Sequence, residues 1–353
     1  MASVTVVSRL KELVGTTTTV QRSALHWKRP LRGAVVAGTL CAITIAIGQP
    51  AMAIPLVVGA FFTGLADVAE PIGVHWRSMS WTALWLTVGT FAGGFSSRFG
   101  YMELLAVAVF AFCCGIAGVV GQRGSLNGML ALVMFAIFAG APESPINNWE
   151  NAGLVALGGL VQVCAFVVPV VLFAPSSLRS ARSQVVPFMV RLRVGFDLHH
   201  VFFRHAVRLS AAMFVATYLS ILLEWPHSYW IPMTVAWVSK PDRDGTDYRV
   251  VHRFIGTMVG LLVCTAVIEV LGMKSYGYSV FIAAGVFTCL VFVRSNYSIS
   301  VVGVTMVVVG VFSLNGEPLA ETLEYRTLGT AFGCLISAIA IMLWMERSKE
   351  QAT

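Results

Sequence analysis

The sequence predicts an all-α, polytopic membrane protein made of two parallel six-helix repeats. Of its 353 residues, 57% are hydrophobic and only 12% are charged, against roughly 25% charged residues in ordinary soluble domains. Long apolar stretches recur from residue 33 to residue 346, with short polar joints between them. All seven cysteines lie inside these stretches, and an odd, buried set argues against a disulfide framework.

Twelve apolar segments follow one another, and a membrane-spanning helix needs about twenty such residues. The first six lie at approximately 33–48, 51–66, 79–97, 101–120, 126–140 and 151–173. The second six lie at 208–223, 229–240, 254–272, 277–293, 297–313 and 327–345. Two of them, 51–66 and 229–240, are short. We expect these two to be tilted, broken or re-entrant, and the sequence leaves open whether they fully span.

Basic residues gather in loops beside the apolar segments, which indicates topology signals rather than a nucleic-acid surface, although the net charge is +7. They cluster in a leader and in the polar stretch between the two sets of segments. By the positive-inside rule both of these regions are cytoplasmic, which requires an even number of crossings between them. The sequence therefore predicts a multi-pass protein of the cell (plasma or inner) membrane with both termini in the cytoplasm.

Five regions follow from this arrangement. They are a cytoplasmic leader (1–30), a first membrane repeat (31–173), a basic cytoplasmic linker (174–207), a second membrane repeat (208–346) and a cytoplasmic tail (347–353). Within the leader, the threonine run 16–19 is typical of a disordered segment.

The two halves of the chain repeat one another with an offset of 176 residues. The stretches 31–50 and 207–226 align over their whole length. The aligned pairs are Arg32 with Arg208, Pro50 with Pro226, Arg77 with Arg253 and Glu150 with Arg326. Because each half has six crossings, the two repeats run parallel, related by an axis along the membrane normal.

A second relation is nested inside each half. Arg253 and Arg326 are 73 residues apart, and so are Arg77 and Glu150. Three segments separate the members of each pair, so the helices that they begin point in opposite directions. This spacing suggests an inverted triplet of helices within each half, an arrangement known in secondary transporters.

The pattern R-x-x-G-T-x-x-G opens two of the predicted helices, at 253–260 and 326–333. Its glycines are four residues apart, which is the spacing that lets helix backbones approach closely in membranes. The pattern therefore predicts tight helix packing at Gly256, Thr257, Gly260, Gly329, Thr330 and Gly333.

Packing does not explain the arginine of this motif. Arg77 and Arg253 stand at predicted helix N-termini, where the side chain and the helix dipole are both positive. Such a site is stable if a fixed carboxylate or a bound anion shares it. The candidate carboxylates are Asp242, Asp244 and Asp247 for Arg253, and Glu321 and Glu324 for Arg326. Ion pairing and anion attraction both stay open as explanations.

The segment upstream of Arg253 has the features of a broken helix beside a watery path. Tyr229 and Trp230 suit the outer membrane interface. Pro232 is expected to break the helix and to free a backbone carbonyl, which is tolerated where it lines a cavity. The segment emerges at Lys240-Pro241, and residues 54–77 occupy the same place in the first half, with Pro55 and Asp67.

Residues 229–260 resemble the fusaric-acid-resistance-like family of aromatic acid exporters. The resemblance lies in a short helix that begins Tyr-Trp, a Thr-Val step at Thr234, a Lys-Pro exit and the R-x-x-G-T-x-x-G motif. The plant aluminium-activated malate transporters are distantly similar through the Arg-x-x-Gly-Thr step. The first half has Ser80-Trp81 where the family shows Gly-Thr.

The resemblance implies a membrane protein of six-helix units that carries organic anions, such as aromatic carboxylic acids in efflux. It also implies that Arg253 and Lys240 face the anion path and that Gly256 and Thr257 pack it. The predicted substrate path comprises Arg253, Lys240, Arg77, Thr234 and Trp230. The expected partners are the lipid bilayer and a small organic anion, with no nucleic acid and with a homo-oligomer left open.

Other kinds of chemistry find little support. His199, His200 and His205 lie on a predicted interfacial amphipathic helix, and no pattern of cysteines or carboxylates completes a metal site. No Walker-type phosphate-binding motif occurs, so we expect no ATP hydrolysis in this chain. We expect no enzymatic activity, cofactor or metal. Two alternatives to a transporter stay open: an anion channel, and a non-transporting membrane scaffold for envelope assembly.

Overall fold

The computed structural model describes residues 2–67, 72–140, 147–173, 193 and 196–343. Every regular element in these ranges is helical, which confirms the all-α fold class. The helices are α1 (Ala2–Thr16), α2 (Lys28–Ala46), α3 (Ala53–Leu65), α4 (Ile72–Ser96), α5 (Met102–Ile116), α6 (Gln122–Gly140), α7 (Asn148–Phe173), α8 (Val201–Leu223), α9 (Trp230–Val238), α10 (Arg243–Leu271), α11 (Ser275–Phe292), α12 (Tyr297–Leu314) and α13 (Leu319–Leu343).

Each of the twelve predicted apolar segments forms one helix, from α2 to α13. Within the described ranges, nine helices are long and apolar enough to cross a membrane. The two segments predicted to be short are α3, with 13 residues, and α9, with 9 residues. At 1.5 Å per residue, α9 is about 13 Å long, less than half of a hydrocarbon core of about 30 Å. As a regular helix, α9 therefore does not cross the membrane by itself.

The prolines of the two short helices stand at their beginnings rather than at a break. Pro55 is the third residue of α3, and Pro232 is the third residue of α9. In the first turn of a helix the backbone N–H has no intrahelical partner, so a proline there costs nothing. The prediction that Pro232 breaks its helix is therefore wrong. The equal position of both prolines is instead a further sign of the repeat.

The two halves of the chain show the same set of helix neighbours. In each half the first helix packs on the second, the second on the sixth, the third on the fifth and sixth, and the fourth on the fifth. Between the halves, the first helix of one packs on the fourth helix of the other, in both directions. This twofold pattern of contacts is the one expected for two six-helix repeats, α2–α7 and α8–α13.

The strongest contacts inside each half are also unchanged when helices one to three are exchanged with helices four to six. The contact between the first and second helices becomes that between the fourth and fifth. The contact between the second and sixth becomes that between the fifth and third. This is the pattern that a nested inverted triplet produces.

Helix α9 lies in the interior of the protein. All nine of its residues are buried, and it packs on α6 from the first half and on α8, α10 and α13 from the second. A helix that is apolar on every side is stable only where it is surrounded. The position of α9 explains why so short an apolar segment is helical, and it puts this helix at the contact between the two halves.

The leader is held against the second half, which corrects the expectation of a disordered threonine run. The Thr16 hydroxyl lies 2.9 Å from Nε2 of His252. The Asn296 side-chain amide donates to the backbone oxygens of Thr17 and Thr19, at 2.7 and 2.8 Å. The leader is therefore bound to both α10 and the turn before α12.

Parts of the predicted domain plan lie outside the described residues. These are most of the linker 174–207, the tail 347–353 and most of the loop after α6. At the end of the linker, α8 begins at Val201 with His200 as its N-cap, whose ring nitrogen accepts from the backbone N–H of Phe202.

Candidate functional site

The two motif arginines lie inside their helices rather than at the ends. Arg253 follows the first residue of α10 by ten positions, and Arg326 follows the first residue of α13 by seven. These distances are about 15 Å and about 10 Å along the helix axes. The effect of the helix dipole falls off within the first turn. The prediction that a helix N-terminus adds positive potential at Arg253 is therefore wrong, and Arg326 also lies beyond that range.

Both arginines are completely buried, and within the described ranges neither side chain is hydrogen-bonded. Each has a relative exposure of 0%. No side-chain nitrogen of either residue has a hydrogen-bond partner among the described residues. Buried arginines are almost always paired, because removing an unpaired ion from water costs several kcal/mol. Two such residues in one half of the protein therefore need an explanation beyond packing.

The two guanidinium groups lie on tryptophan rings of α9. The Cζ atom of Arg253 is 5.6 Å from the ring centre of Trp237, and that of Arg326 is 5.1 Å from the ring centre of Trp230. Seven residues separate the tryptophans, which puts them on one face of α9, about 10 Å apart along the axis. This face, which we call the arginine–tryptophan face, comprises Trp230, Thr234 and Trp237.

Three buried threonines lie on the helices that carry the two tryptophans and the two arginines. Thr257 follows Arg253 by one helical turn, Thr330 follows Arg326 by one turn, and Thr234 lies between the two tryptophans. The hydroxyls of all three lack a hydrogen-bond partner in the described part of the chain. The two buried arginines and these three hydroxyls together have a composition suited to a negatively charged ligand.

The glycines of the motif lie at close helix contacts. A Cβ atom on Gly256 would lie 2.4 Å from the backbone oxygen of Ser298 in α12, and one on Gly260 would lie 2.8 Å from Thr305. In α13, a Cβ atom on Gly329 would lie 2.8 Å from Cβ of Trp230, and one on Gly333 would lie 2.5 Å from Cβ of Thr234. The glycines of α10 therefore let it pack closely on α12, and those of α13 bring Arg326 within reach of α9.

A cavity of about 710 Å³ leads to Arg253 from the surface. Its walls come from both halves: the beginning of α6 on one side, and the end of α9 with α10, α11 and α12 on the other. Five basic residues and no carboxylate are among its lining residues. They are Arg123, Lys240, Arg249, Arg253 and Arg294. Arg123 and Arg294 are exposed whereas Arg253 is fully buried, so the positive charge continues from the mouth inward.

The mouth of the cavity lies at the leader end of the protein. Arg294 and Tyr297 line the cavity and flank the turn before α12. Asn296 of the same turn donates to the leader backbone, and the Gln21 N–H donates to the Ser295 oxygen at 3.3 Å. The leader and the cavity mouth are therefore on the same side of the molecule.

Lys240 stands in the cavity wall directly after α9. Burial, and to a lesser degree the nearby charge of Arg249, lower the pKa of Lys240 to about 7, while Asp242 opposes the shift. Its Nζ lies 3.6 Å from Sδ of Met129. Arg208 fixes the backbone here by donating to the oxygens of Lys240 and Pro241. The charge of this lysine is therefore sensitive to pH near neutrality.

The three aspartates predicted to pair with Arg253 bind elsewhere. Asp242 caps α10 by accepting from the backbone N–H of Gly245 at 2.6 Å. Asp244 and Asp247 both form ion pairs with Arg9 of the leader. They lie at the N-terminus of α10, where negative charge is favourable. The prediction that these aspartates pair with Arg253 is therefore wrong. Two of them instead hold Arg9 of the leader against α10.

Arg326 likewise lacks the acidic partners that its sequence neighbours suggested. Glu321 and Glu324 are exposed, whereas Arg326 points into the protein. Glu317, the nearest other carboxylate in sequence, forms an ion pair with His227 at 2.7 Å. The prediction that Arg326 is an ion-pairing residue is wrong within the described part of the chain.

Among the described residues of the first half there is no counterpart of the arginine–tryptophan face. Arg77, which aligns with Arg253, is exposed, and its guanidinium lies over the neighbouring Trp76 ring. Arg77 is not among the residues that line the cavity, so the structure does not support its assignment to the substrate path. Glu150, which aligns with Arg326, is also exposed.

The buried carboxylate Asp67 of the first half has cationic partners. Asp67 pairs with Arg32, and Oδ1 of Asp67 lies 2.7 Å from Nε2 of His75. Burial alone would raise the pKa of Asp67, but His75 and Arg32 outweigh it and hold the pKa below its usual value. The unpaired positive charge is therefore a property of the second half.

Sequence reasoning found part of this site. It named Arg253, Lys240, Thr234 and Trp230, all of which lie on or beside the arginine–tryptophan face. It missed Trp237 and the outer basic residues of the cavity. The available signal for Trp237 was its spacing of seven residues from Trp230, which puts both rings on one helical face.

The fold and this site define a multi-pass α-helical membrane protein with an uncompensated cationic interior. Residues 211–340, which include the arginine–tryptophan face, match the family described as fusaric acid resistance protein-like. The resemblance inferred from residues 229–260 is therefore confirmed for this part of the chain.

Relatives with curated sequences match over less than half of this chain. The uncharacterized protein YhfK of Escherichia coli K12 is 30% identical over 171 residues, which is 47% of this chain and 24% of YhfK. The inner membrane protein YccS of the same organism is 28% identical over 152 residues, 43% of this chain and 21% of YccS. The chain thus spans about a quarter or less of the length of these relatives. No solved structure matches.

Proposed function

We propose that this protein transports organic anions across the cell membrane. The observation that carries the proposal is the pair of fully buried arginines, Arg253 and Arg326, without a protein partner among the described residues. An ionisable residue inside a membrane protein that lacks a protein partner is a candidate for contact with the transported species. A basic cavity that leads to Arg253 supports the same conclusion.

The chemistry of the face favours a carboxylate attached to a flat ring. A guanidinium group presents parallel N–H donors whose geometry matches the two oxygens of a carboxylate. The indole rings of Trp230 and Trp237 offer aromatic surface beside each guanidinium, and aromatic rings pack well on one another. The substrate class that fits is therefore an aromatic carboxylic acid.

Export is the direction that the charge distribution favours. With the leader and both termini in the cytoplasm, the basic cavity opens to the cytoplasm and concentrates anions there. An inside-negative membrane potential then drives one negative charge outward with about 2.3 kcal/mol per 100 mV. This driving force needs no ATP hydrolysis.

A channel is the second candidate, and one observation bears on it. The cavity ends at Arg253, and Arg326 lies beyond it without lining it. An anion therefore has to pass a closed region, which favours a carrier with alternating access. Saturable flux at rates far below those of a channel supports a carrier, whereas single-channel currents identify a channel.

The thermal stability of the purified protein tests anion binding directly. Binding to the native state raises stability by RT ln(1 + [L]/Kd), about 2.7 kcal/mol at one hundred times the dissociation constant. We expect benzoate to raise the melting temperature of the parent protein and of Arg77→Ala, whose arginine is exposed. The same titration with Arg253→Ala is expected to give a clearly smaller shift, because the site at Arg253 is lost. A scaffold protein without an anion site would show no benzoate effect in any variant.

A further inference from the structure

We propose that Arg326 forms a second anion station, separate from the one at Arg253, which binds the carboxylate of the same substrate on its way across the protein. The inference rests on the proposed transport function and adds a second binding site to it. The station comprises Arg326, Trp230 and the hydroxyl of Thr330.

The second station lies beyond the inner end of the basic cavity. The cavity lining includes Trp237 and Arg253 but neither Trp230 nor Arg326. Along the arginine–tryptophan face, the two guanidiniums are associated with rings about 10 Å apart, and the unpartnered hydroxyl of Thr234 lies between these rings. A carboxylate that leaves Arg253 along this face therefore meets a hydroxyl donor first and Arg326 next.

A structural role does not account for Arg326. Its exposure of 0% excludes a side chain that reaches the lipid headgroups. Its three nitrogens have no partner within the described ranges, and the nearby carboxylate of Glu317 is bound by His227. The remaining interaction, with the Trp230 ring at 5.1 Å, does not use the N–H donors of the guanidinium. A ligand with two planar oxygens would satisfy them.

The side of the station away from the cavity is closed by an aromatic stack. The His227 ring lies 4.7 Å from the Trp230 ring, nearly parallel to it, and Phe312 lies 4.8 Å from His227. The ion pair between His227 and Glu317 holds this stack in position. In this conformation the station is therefore closed on the His227 side, so an anion reaches it from the cavity along α9, and release requires this stack to open.

The proposal predicts two bound carboxylates for each chain. The measurement is equilibrium binding of radiolabelled benzoate to the purified protein, with flux of benzoate into proteoliposomes measured beside it. The test variant is Arg326→Met, which removes the charge while keeping an apolar side chain of similar length. We expect the parent to bind two benzoates and Arg326→Met to bind one, with flux lowered at least tenfold.

Further variants separate the possible failures. Arg253→Met should also bind one benzoate, and Arg77→Ala should bind two. Two bound benzoates with parental flux in Arg326→Met would overturn the second station, whereas no binding to the parent would overturn the transport proposal itself. If Arg326→Met does not fold, Arg326→Lys is the variant to measure. Lysine keeps the charge but loses the paired N–H donors of the guanidinium, and we expect the flux to fall severalfold. Parental flux in a folded Arg326→Lys protein would overturn the proposal as well. Displacement of the second benzoate by chloride at equal concentration would show that the station does not select carboxylates.

Discussion

Trp230 and Trp237 lie on one face of α9, and each ring carries the guanidinium of a different buried arginine. The two arginines come from α10 and α13, which hold equivalent places in an inverted triplet. The arginines of both copies of the motif therefore contact the same short helix, α9. Close packing at the glycines and positive charge at the arginines are two parts of the same arrangement.

The first prediction concerns the glycine contact of α10. Replacing Gly256 with leucine should destabilise the protein by about 1–3 kcal/mol or more, because the new side chain meets the backbone oxygen of Ser298 at 2.4 Å. Gly153 is the matched control, since it is exposed in α7 and has nothing within 4 Å of an added Cβ. We expect Gly153→Leu to melt like the parent. Equal melting temperatures for both variants would contradict a close contact at Gly256.

The second prediction concerns pH. Because the pKa of Lys240 is lowered to about 7, the lysine is charged below this pH and increasingly neutral above it. Benzoate affinity should therefore fall by about tenfold as the pH rises through 7, which corresponds to about one pKa unit of coupling. Lys240→Arg stays charged throughout and should lose this dependence. A parent protein with the same affinity at pH 6 and pH 8 would exclude a role for Lys240.

The fold was predicted correctly from the sequence where long apolar segments determine the structure. All twelve segments were found, because a membrane helix must bury its own backbone polar groups and must be apolar over most of its length. The beginnings of α10 and α13 were placed too late. Both helices start with polar residues outside the apolar run, so Arg253 was assigned to a helix end although it lies ten residues inside.

The burial of the arginines could not be read from the sequence. Arg77 and Arg253 occupy aligned positions, yet one is exposed and the other is fully buried. This difference in burial depends on which helix packs against each arginine. The helix α9 has two tryptophans, whereas α3, the corresponding helix of the first half, has none. The spacing of residues in the sequence identified the repeated arginine positions. Only the packing of the helices shows which arginine is exposed and which is buried without a hydrogen-bond partner.

The third prediction concerns the leader. Asn296→Ala removes the two hydrogen bonds to the backbone of Thr17 and Thr19, so amide hydrogen exchange in residues 14–24 should become faster. Asn315→Ala is a suitable control, since the Asn315 amide donates only within its own helix, to Val311. Unchanged exchange of the leader in Asn296→Ala would show that other contacts hold it.

The fourth prediction concerns topology. If the leader and the linker are cytoplasmic, a cysteine at Ser183 and a cysteine at Gly316 should be labelled from opposite sides of the membrane in a cysteine-free protein. Gly316 lies in the loop between α12 and α13, at the end opposite to the cavity mouth. Labelling of both positions from one side of the membrane would contradict the predicted topology.

The central claim is that the unpaired charge of Arg253 binds the transported anion, and benzoate flux in proteoliposomes tests it most directly. The account predicts that flux falls in the order parent, Arg253→Lys, Arg253→Ala, because lysine keeps the charge without the bidentate fork and alanine removes both. Melting curves should show that all three proteins are folded, and Arg77→Ala should transport like the parent. Parental flux in a well-folded Arg253→Ala protein would contradict the account.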